Sequence, residues 1–168
     1  MIPMGTIYLV FGPQGAGKST YSRGLATRVK GVRFSIDDWM EQLYGPDLPK
    51  PKSFSWVMER VQRCERRIWA TASDFARTGG SVILDLGFMK ARSRSEFLAL
   101  AEEGGHPFQL HFVNAPHAIR RARVLARNAE KGATFSFEVT PAMFDFMEGE
   151  FEPPTDNELA NATVFDST

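Results

Sequence analysis

Residues 11–20 read FGPQGAGKST, which sets three glycines, a lysine, a serine and a threonine in ten positions. Gly12 to Ser19 fits the spacing G-x-x-x-x-G-K-[ST], the pattern of a loop that holds a phosphate chain. Glycines let such a backbone bend into a nest with its N–H groups turned inward. The positive end of a following helix adds attraction for anionic oxygens. On this pattern Gly12, Pro13, Gln14, Gly15, Ala16 and Gly17 wrap a triphosphate, and Lys18 reaches its β- and γ-phosphates. Ser19 would ligate Mg²⁺, and Thr20 would support the α-phosphate end. The expected cofactors are therefore ATP and Mg²⁺. A glycine-rich turn that binds nothing is the competing reading, but here a strand-like run precedes the loop and a helical pattern follows it.

Phosphoryl transfer needs an acceptor held in line, a group near its proton, and positive charge against the spreading negative charge. Asp37 and Asp38 follow the strand-like VRFSI, at the edge where open α/β sheets bind ligands. Asp37 is expected to take the proton of a substrate hydroxyl. Asp38, with Glu41 three residues on, reads as a helix cap or as support beside the substrate. Asp85 closes the apolar run SVILDL and suits Mg²⁺, held directly or through water; a plain loop-starting Asp is the alternative. Arg120, Arg123 and Arg127 are spaced to share one helix face, while Arg121 points elsewhere. Such a stripe can be a solvated face. Here a polar, flexible-looking segment follows, so residues 127–138 read as a lid that brings Arg123 and Arg127 over the phosphates.

The elements that must position these groups alternate. TIYLVF, VRFSI, SVILDL, FQLHFV and ATVFD read as strands. Between them lie helical stretches: 19–30, a short one to about Tyr44, 54–78, one through KARSRSEFLALAEEGG, and one from Pro116. In the long helix Phe54, Val57, Val61, Cys64, Ile68, Ala72 and Phe75 form an apolar face, so Cys64 belongs to packing. TPAMFDFMEGE reads as one more short helix, and GPDLPKPKS and FEPPTDNE as loops. Five strands separated by helices predict a parallel sheet covered on both faces, a three-layer α/β domain spanning 1–168.

Composition sets wider bounds. The chain has 168 residues, a formal net charge of zero and one cysteine, which excludes an intrachain disulfide and suits a reducing cytoplasm. No apolar run is long enough to span a bilayer, and no signal peptide is read at the N-terminus. The charge is unevenly spread. All 20 Lys and Arg lie in residues 1–137, whereas 138–168 hold eight acidic residues and no basic one. That acidic end reads either as a solvated surface or, from Glu148 to Glu158, as a lure for a cationic acceptor such as an aminosugar. His106, His111 and His117 lack metal-ligand spacing and read as packing or surface residues.

Taken together, GPQGAGKST, SIDDW, ILDLG and RVLARN resemble the small P-loop kinases of the nucleoside-monophosphate-kinase type, over nearly the whole chain. Within them the chain is most similar to the polynucleotide-kinase-like ATP-binding proteins, which carry a segment like FEPPTDNE near their C-terminus. The resemblance implies a sheet order 2-3-1-4-5, Asp37 as base and Arg127 in the lid. It also sets FEPP near the nucleotide base, against the plainer reading of a proline-terminated helix end. One position departs: polynucleotide 5′-hydroxyl kinases carry a phosphate-gripping arginine where this chain has Met40. Chloramphenicol phosphotransferase and other antibiotic or metabolite kinases share the scaffold, and Trp39, Tyr44, Trp56, Phe135, Phe137, Phe144 and Phe146 are candidates for an apolar acceptor pocket.

The expected activity is ATP-dependent phosphorylation of a small-molecule hydroxyl by a monomer or homodimer. A polynucleotide acceptor is disfavoured by Met40 and by the zero net charge. A partner-driven nucleotide switch is the alternative of another class. It lacks support, because no N-K-x-D base-reading motif is present and a AAA+ motor needs a longer chain with a helical lid domain.

Overall fold

Strand and helix periodicities resolve into a five-stranded, all-parallel sheet in the computed structural model, which describes residues 2–130 and 138–167. The strands are β1 (Ile7–Phe11), β2 (Val32–Ser35), β3 (Val82–Asp85), β4 (Phe108–Asn114) and β5 (Ala162–Asp166). Their order is β2-β3-β1-β4-β5, as the resemblance implies. Seven α-helices are described: α1 (Lys18–Val29), α2 (Ile36–Tyr44), α3 (Phe54–Arg77), α4 (Ala91–Glu103), α5 (His117–Glu130), α6 (Pro141–Glu150) and α7 (Asp156–Asn161).

Alternation along β1 explains the layers. Ile7, Leu9 and Phe11 pack with Cys64, Ile68 and Ala72 of α3 and Phe97 of α4. Val10 points to the opposite face, where it meets Leu25 of α1. Each face of the sheet is thus covered, the arrangement a parallel sheet requires. Register places the C-terminal ends of β1, β2 and β3 side by side, with Ser35 opposite Asp85.

Local chemistry corrects three expectations. The cap of α2 is Ser35, whose side chain accepts from the Asp38 N–H, so Asp37 and Asp38 both lie inside the first helical turn. An acid in that turn is favoured by the helix dipole without being the cap. FEPPTDNE is not all loop: Thr155 and Glu158 form a capping box that starts α7. Phe54, at the first turn of α3, is 76% exposed and leaves the apolar face that begins further along.

Uneven charge finds its explanation in long-range pairs. Arg94 is fully buried and donates to both oxygens of Glu158, at 2.7 and 3.1 Å. The same guanidinium reaches the carbonyls of Phe88, Glu152 and Pro153 and sits 4.5 Å over the Phe11 ring. Burial alone would raise the Glu158 carboxyl, but hydrogen bonds from Arg94 and the Thr155 backbone hold it below the ordinary range. Glu150 pairs with Lys90, and Glu148 with Arg120. Three carboxylates of the acidic end are therefore fastened to the basic body. Arg94→Ala should destabilise the fold by about 3–5 kcal/mol, because it strands Glu158 and three carbonyls; urea unfolding monitored by tryptophan fluorescence measures it.

Candidate active site

β1 stops at Gly12 and the chain turns directly into α1. A Cβ at Gly12 would lie 1.9 Å from the Val113 carbonyl oxygen of β4, so only glycine lets the loop leave the sheet here. Gly17, at φ 97°, forms the N-cap of α1 and aims the helix start back at the loop.

A loop that presents N–H groups to an anion must settle its carbonyls elsewhere. In this chain cationic side chains take all five from residue 12 to 16. Lys18 Nζ donates to the carbonyls of Gly12 and Pro13, at 2.9 and 3.0 Å. Arg120 donates to Gln14 at 3.2 Å, and Arg123 to Gly15 and Ala16 at 3.4 Å each. Arg120 is buried and also holds both oxygens of Glu148, at 2.6 and 2.7 Å, and the Ala115 carbonyl at 2.9 Å. Arg123 additionally binds the Ser167 hydroxyl at 2.9 Å, beyond the end of β5. Both arginines act as braces of the loop in this structure.

Lys18, Ser19, Asp37, Asp85 and Arg127 line one cavity of about 220 Å³, together with Gln14 and Asn128. Burial lowers the Lys18 ammonium, although Asp85 and Asp37 oppose that shift. Asp37 opens to solvent along the cavity, yet the surrounding protein, and next to it the charge of Asp85, push its carboxyl above the ordinary range. Burial likewise lowers Arg127, with Asp37 acting against it.

Asp85 is held from behind. Its Oδ2 accepts from Ser22 Oγ at 2.9 Å and Arg33 Nη2 at 2.7 Å. Arg33 also reaches Asp38 at 3.2 Å, so Asp38 faces this arginine and does not line the cavity. Ser19 and Asp85 offer hard oxygens suited to Mg²⁺. Among the described residues no group of three or more His, Cys, Asp or Glu could hold a metal alone. A Mg²⁺ ion here would complete its shell from phosphates and water, its usual habit in nucleotide sites.

A larger groove of about 1000 Å³ adjoins the loop, lined by Ser19, Thr20, Tyr21, Arg123, Arg127 and the end of β5. FEPP does not reach it: the Glu152 N–H binds the Met89 carbonyl at 2.8 Å, which sets FEPP against the β3–α4 connection. The expected lid lies largely outside the described residues, including Phe135 and Phe137. Its two flanks are tied: Asn128 exchanges hydrogen bonds with the Val139 backbone at 2.7 and 2.9 Å. Trp39 packs into the core beside Phe34, and Phe144 is buried between α5 and α6 with Val124. His106 and His111 are buried partners of Ser73 and Tyr21.

Sequence reasoning missed Arg33, Ser22, and the bracing by Arg120. Arg33 carried a usable signal, a lone charge inside a strand with buried neighbours. Glu148, 28 residues from Arg120, carried none.

A family profile described as an AAA domain matches residues 7–154. The chain belongs to that family. In fold it is similar to a candidate kinase of Chloroflexus aurantiacus, at 18% identity and a TM-score of 0.74, covering 99% of this chain and 86% of that one. It is similar to the APS kinase of Mycobacterium tuberculosis in complex with AMPPNP and APS, at 17% identity and 0.65, covering 98% and 89%. A sugar kinase of Janibacter follows at 16% identity and 0.62, covering 98% and 86%. Among curated proteins, none matches the sequence. The fold is that of the P-loop kinases.

Two outcomes test this geometry. Arg120→Ala should cost about 3–5 kcal/mol of stability, since it leaves Glu148 and two carbonyls without their donor; MgATP affinity by calorimetry should fall with it. Asp37→Asn should raise Tm at neutral pH. The raised pKa means that the folded state favours the protonated carboxyl, so its stabilisation is complete in acid and disappears as pH rises through that pKa. Calorimetric scans should show the gain at pH 7.5 vanish below the ordinary carboxylate value of 3.8.

Proposed function

We propose that the chain is a kinase, one domain over residues 1–168, which uses ATP and Mg²⁺ to phosphorylate a hydroxyl of a small molecule. One observation carries this reading. Asp37 borders two cavities at once, the first with Lys18, Ser19, Asp85 and Arg127, the second mainly apolar. A carboxylate between a phosphate site and an organic pocket stands where a hydroxyl must lose its proton. The fold supports the reading, since the similar APS kinase holds AMPPNP and APS together.

In this mechanism the triphosphate lies on the loop and the nucleoside in the larger groove. Lys18 leaves the carbonyls of Gly12 and Pro13 for the β- and γ-phosphates. Arg127, which lines both the small cavity and the groove, meets the charge that develops on the transferred group. Mg²⁺, when bound, would be held by Ser19 and, through water, by Asp85, and would neutralise phosphate charge. The acceptor oxygen bonds to the γ-phosphorus while its proton passes to Asp37. The bond from that phosphorus to the β–γ bridging oxygen breaks, and its electron pair departs on ADP.

A raised carboxyl pKa suits Asp37 for this role, because it brings proton affinity closer to working pH. Met40 lines the apolar cavity, where an arginine would be needed to hold a nucleic-acid phosphate, and this favours a small acceptor.

Lys18→Ala should lower transfer by at least about 10²-fold. Asp37→Asn should retain MgATP binding and lose about 10²–10⁴-fold in transfer. In the wild type, kcat/KM should rise with pH through a group titrating above 3.8, and that limb should vanish in Asp37→Asn. Coupled ADP-release assays across pH, with calorimetry for binding, decide it; undiminished transfer by Asp37→Asn would remove the base from the scheme.

A further inference from the structure

The second cavity measures about 250 Å³. Beyond Asp37 its walls include Met40 and Tyr44 of α2, Leu48 of the following loop, and Trp56 and Val57 of α3. Tyr44 and Trp56 meet edge to face, with centroids 6.3 Å apart. Arg60 lies 3.8 Å over the Trp56 ring and 5.8 Å from that of Tyr44, and donates to the Trp56 carbonyl at 3.0 Å. The aromatic wall is therefore backed by a cation.

Charge narrows what can enter. An anionic acceptor would face Asp37 and Glu41, both on the cavity wall. A cationic acceptor would compete with Arg60 for the ring faces. A polyhydroxylated acceptor would strand its hydroxyls against Met40, Leu48, Val57 and the rings. On the scale at which an enclosed apolar cavity of about 150 Å³ accepts benzene, the part of an acceptor that lies inside the 250 Å³ here is roughly ten non-hydrogen atoms.

We propose that the acceptor is a neutral alcohol with an aromatic or branched aliphatic body of roughly ten non-hydrogen atoms. Its body rests on Met40, Tyr44 and Trp56, and its hydroxyl reaches Asp37. This assignment rests on the kinase reading above and gives that site its substrate class. The transfer is balanced as before: the alcohol oxygen gains the phosphoryl group of ATP, Asp37 takes the proton, and ADP leaves.

The test offers MgATP with four acceptors: 3-phenylpropanol, an analogue of it bearing a carboxylate, one bearing an ammonium, and a hexose. Phosphorylated product is read by mass and turnover by ADP release. The neutral alcohol should exceed the other three in kcat/KM by about tenfold or more. Leu48→Glu, at a loop position 39% exposed, should raise its KM about tenfold with kcat little altered, and Trp56→Ala should do the same. MgATP binding by calorimetry is measured on every variant. Preference for a charged analogue or the hexose overturns the acceptor class and leaves the kinase reading standing. So does an unmoved KM in Leu48→Glu, or transfer to none of the four by a protein that binds MgATP. Failure to bind MgATP at all removes the kinase reading and this assignment with it.

Discussion

Everything near the site depends on how the carbonyls of the phosphate loop are satisfied. A peptide that offers its amides to an anion leaves as many oxygens needing donors, and a buried oxygen without one costs about 1–3 kcal/mol. Lys18, Arg120 and Arg123 meet that need between them. Two of the three come from α5, so satisfying the loop also fixes this helix against it. Arg127, one turn beyond Arg123, is thereby placed beside the cavity. Glu148 in turn holds Arg120 and draws α6 into the same unit.

The carboxylates beside the loop divide their work by environment. Asp85 is buried and bound by Ser22 and Arg33, which fixes its position and limits its freedom. Asp37, one strand away, opens to solvent along the cavity, yet the surrounding protein and then the charge of Asp85 push its carboxyl above the ordinary range. Keeping such a group charged at neutral pH costs stability. Lys18, Asp37, Asp85 and Arg127 are concentrated around one small cavity, where that cost is met.

Much of the fold was legible. The sheet, its two covered faces and the longer helices follow from period-2 and period-3.6 patterns, and Cys64 packs where its helical spacing put it. The loop and the acids at the strand ends were legible from type and spacing alone. The errors lay where short local signals compete. Asp38–Glu41 and Ser35–Asp38 both fit a capping pattern, and the residue that keeps extended geometry, Ser35, became the cap. Thr155–Glu158 was hidden by the two prolines before it, although Pro does not stop a helix that begins after it. Trp39 and Tyr44 lie in one short helix, but of the two only Tyr44 lines the apolar cavity beside Asp37, while Trp39 packs against Phe34.

By itself the sequence determined the contiguous features: the nest from Gly12 to Ser19, the strand-end carboxylates, and the parallel sheet, each encoded by spacing within a few residues. Tertiary structure alone decided the partners. It made Arg120 and Arg123 braces of the loop, and it paired Glu158, Glu148 and Glu150 of the acidic C-terminal stretch with Arg94, Arg120 and Lys90. It also set an apolar cavity against Asp37. Charge and apolarity are properties of single residues, but what neutralises a charge or encloses a cavity comes from segments tens of residues apart, and only the folded chain brings those together.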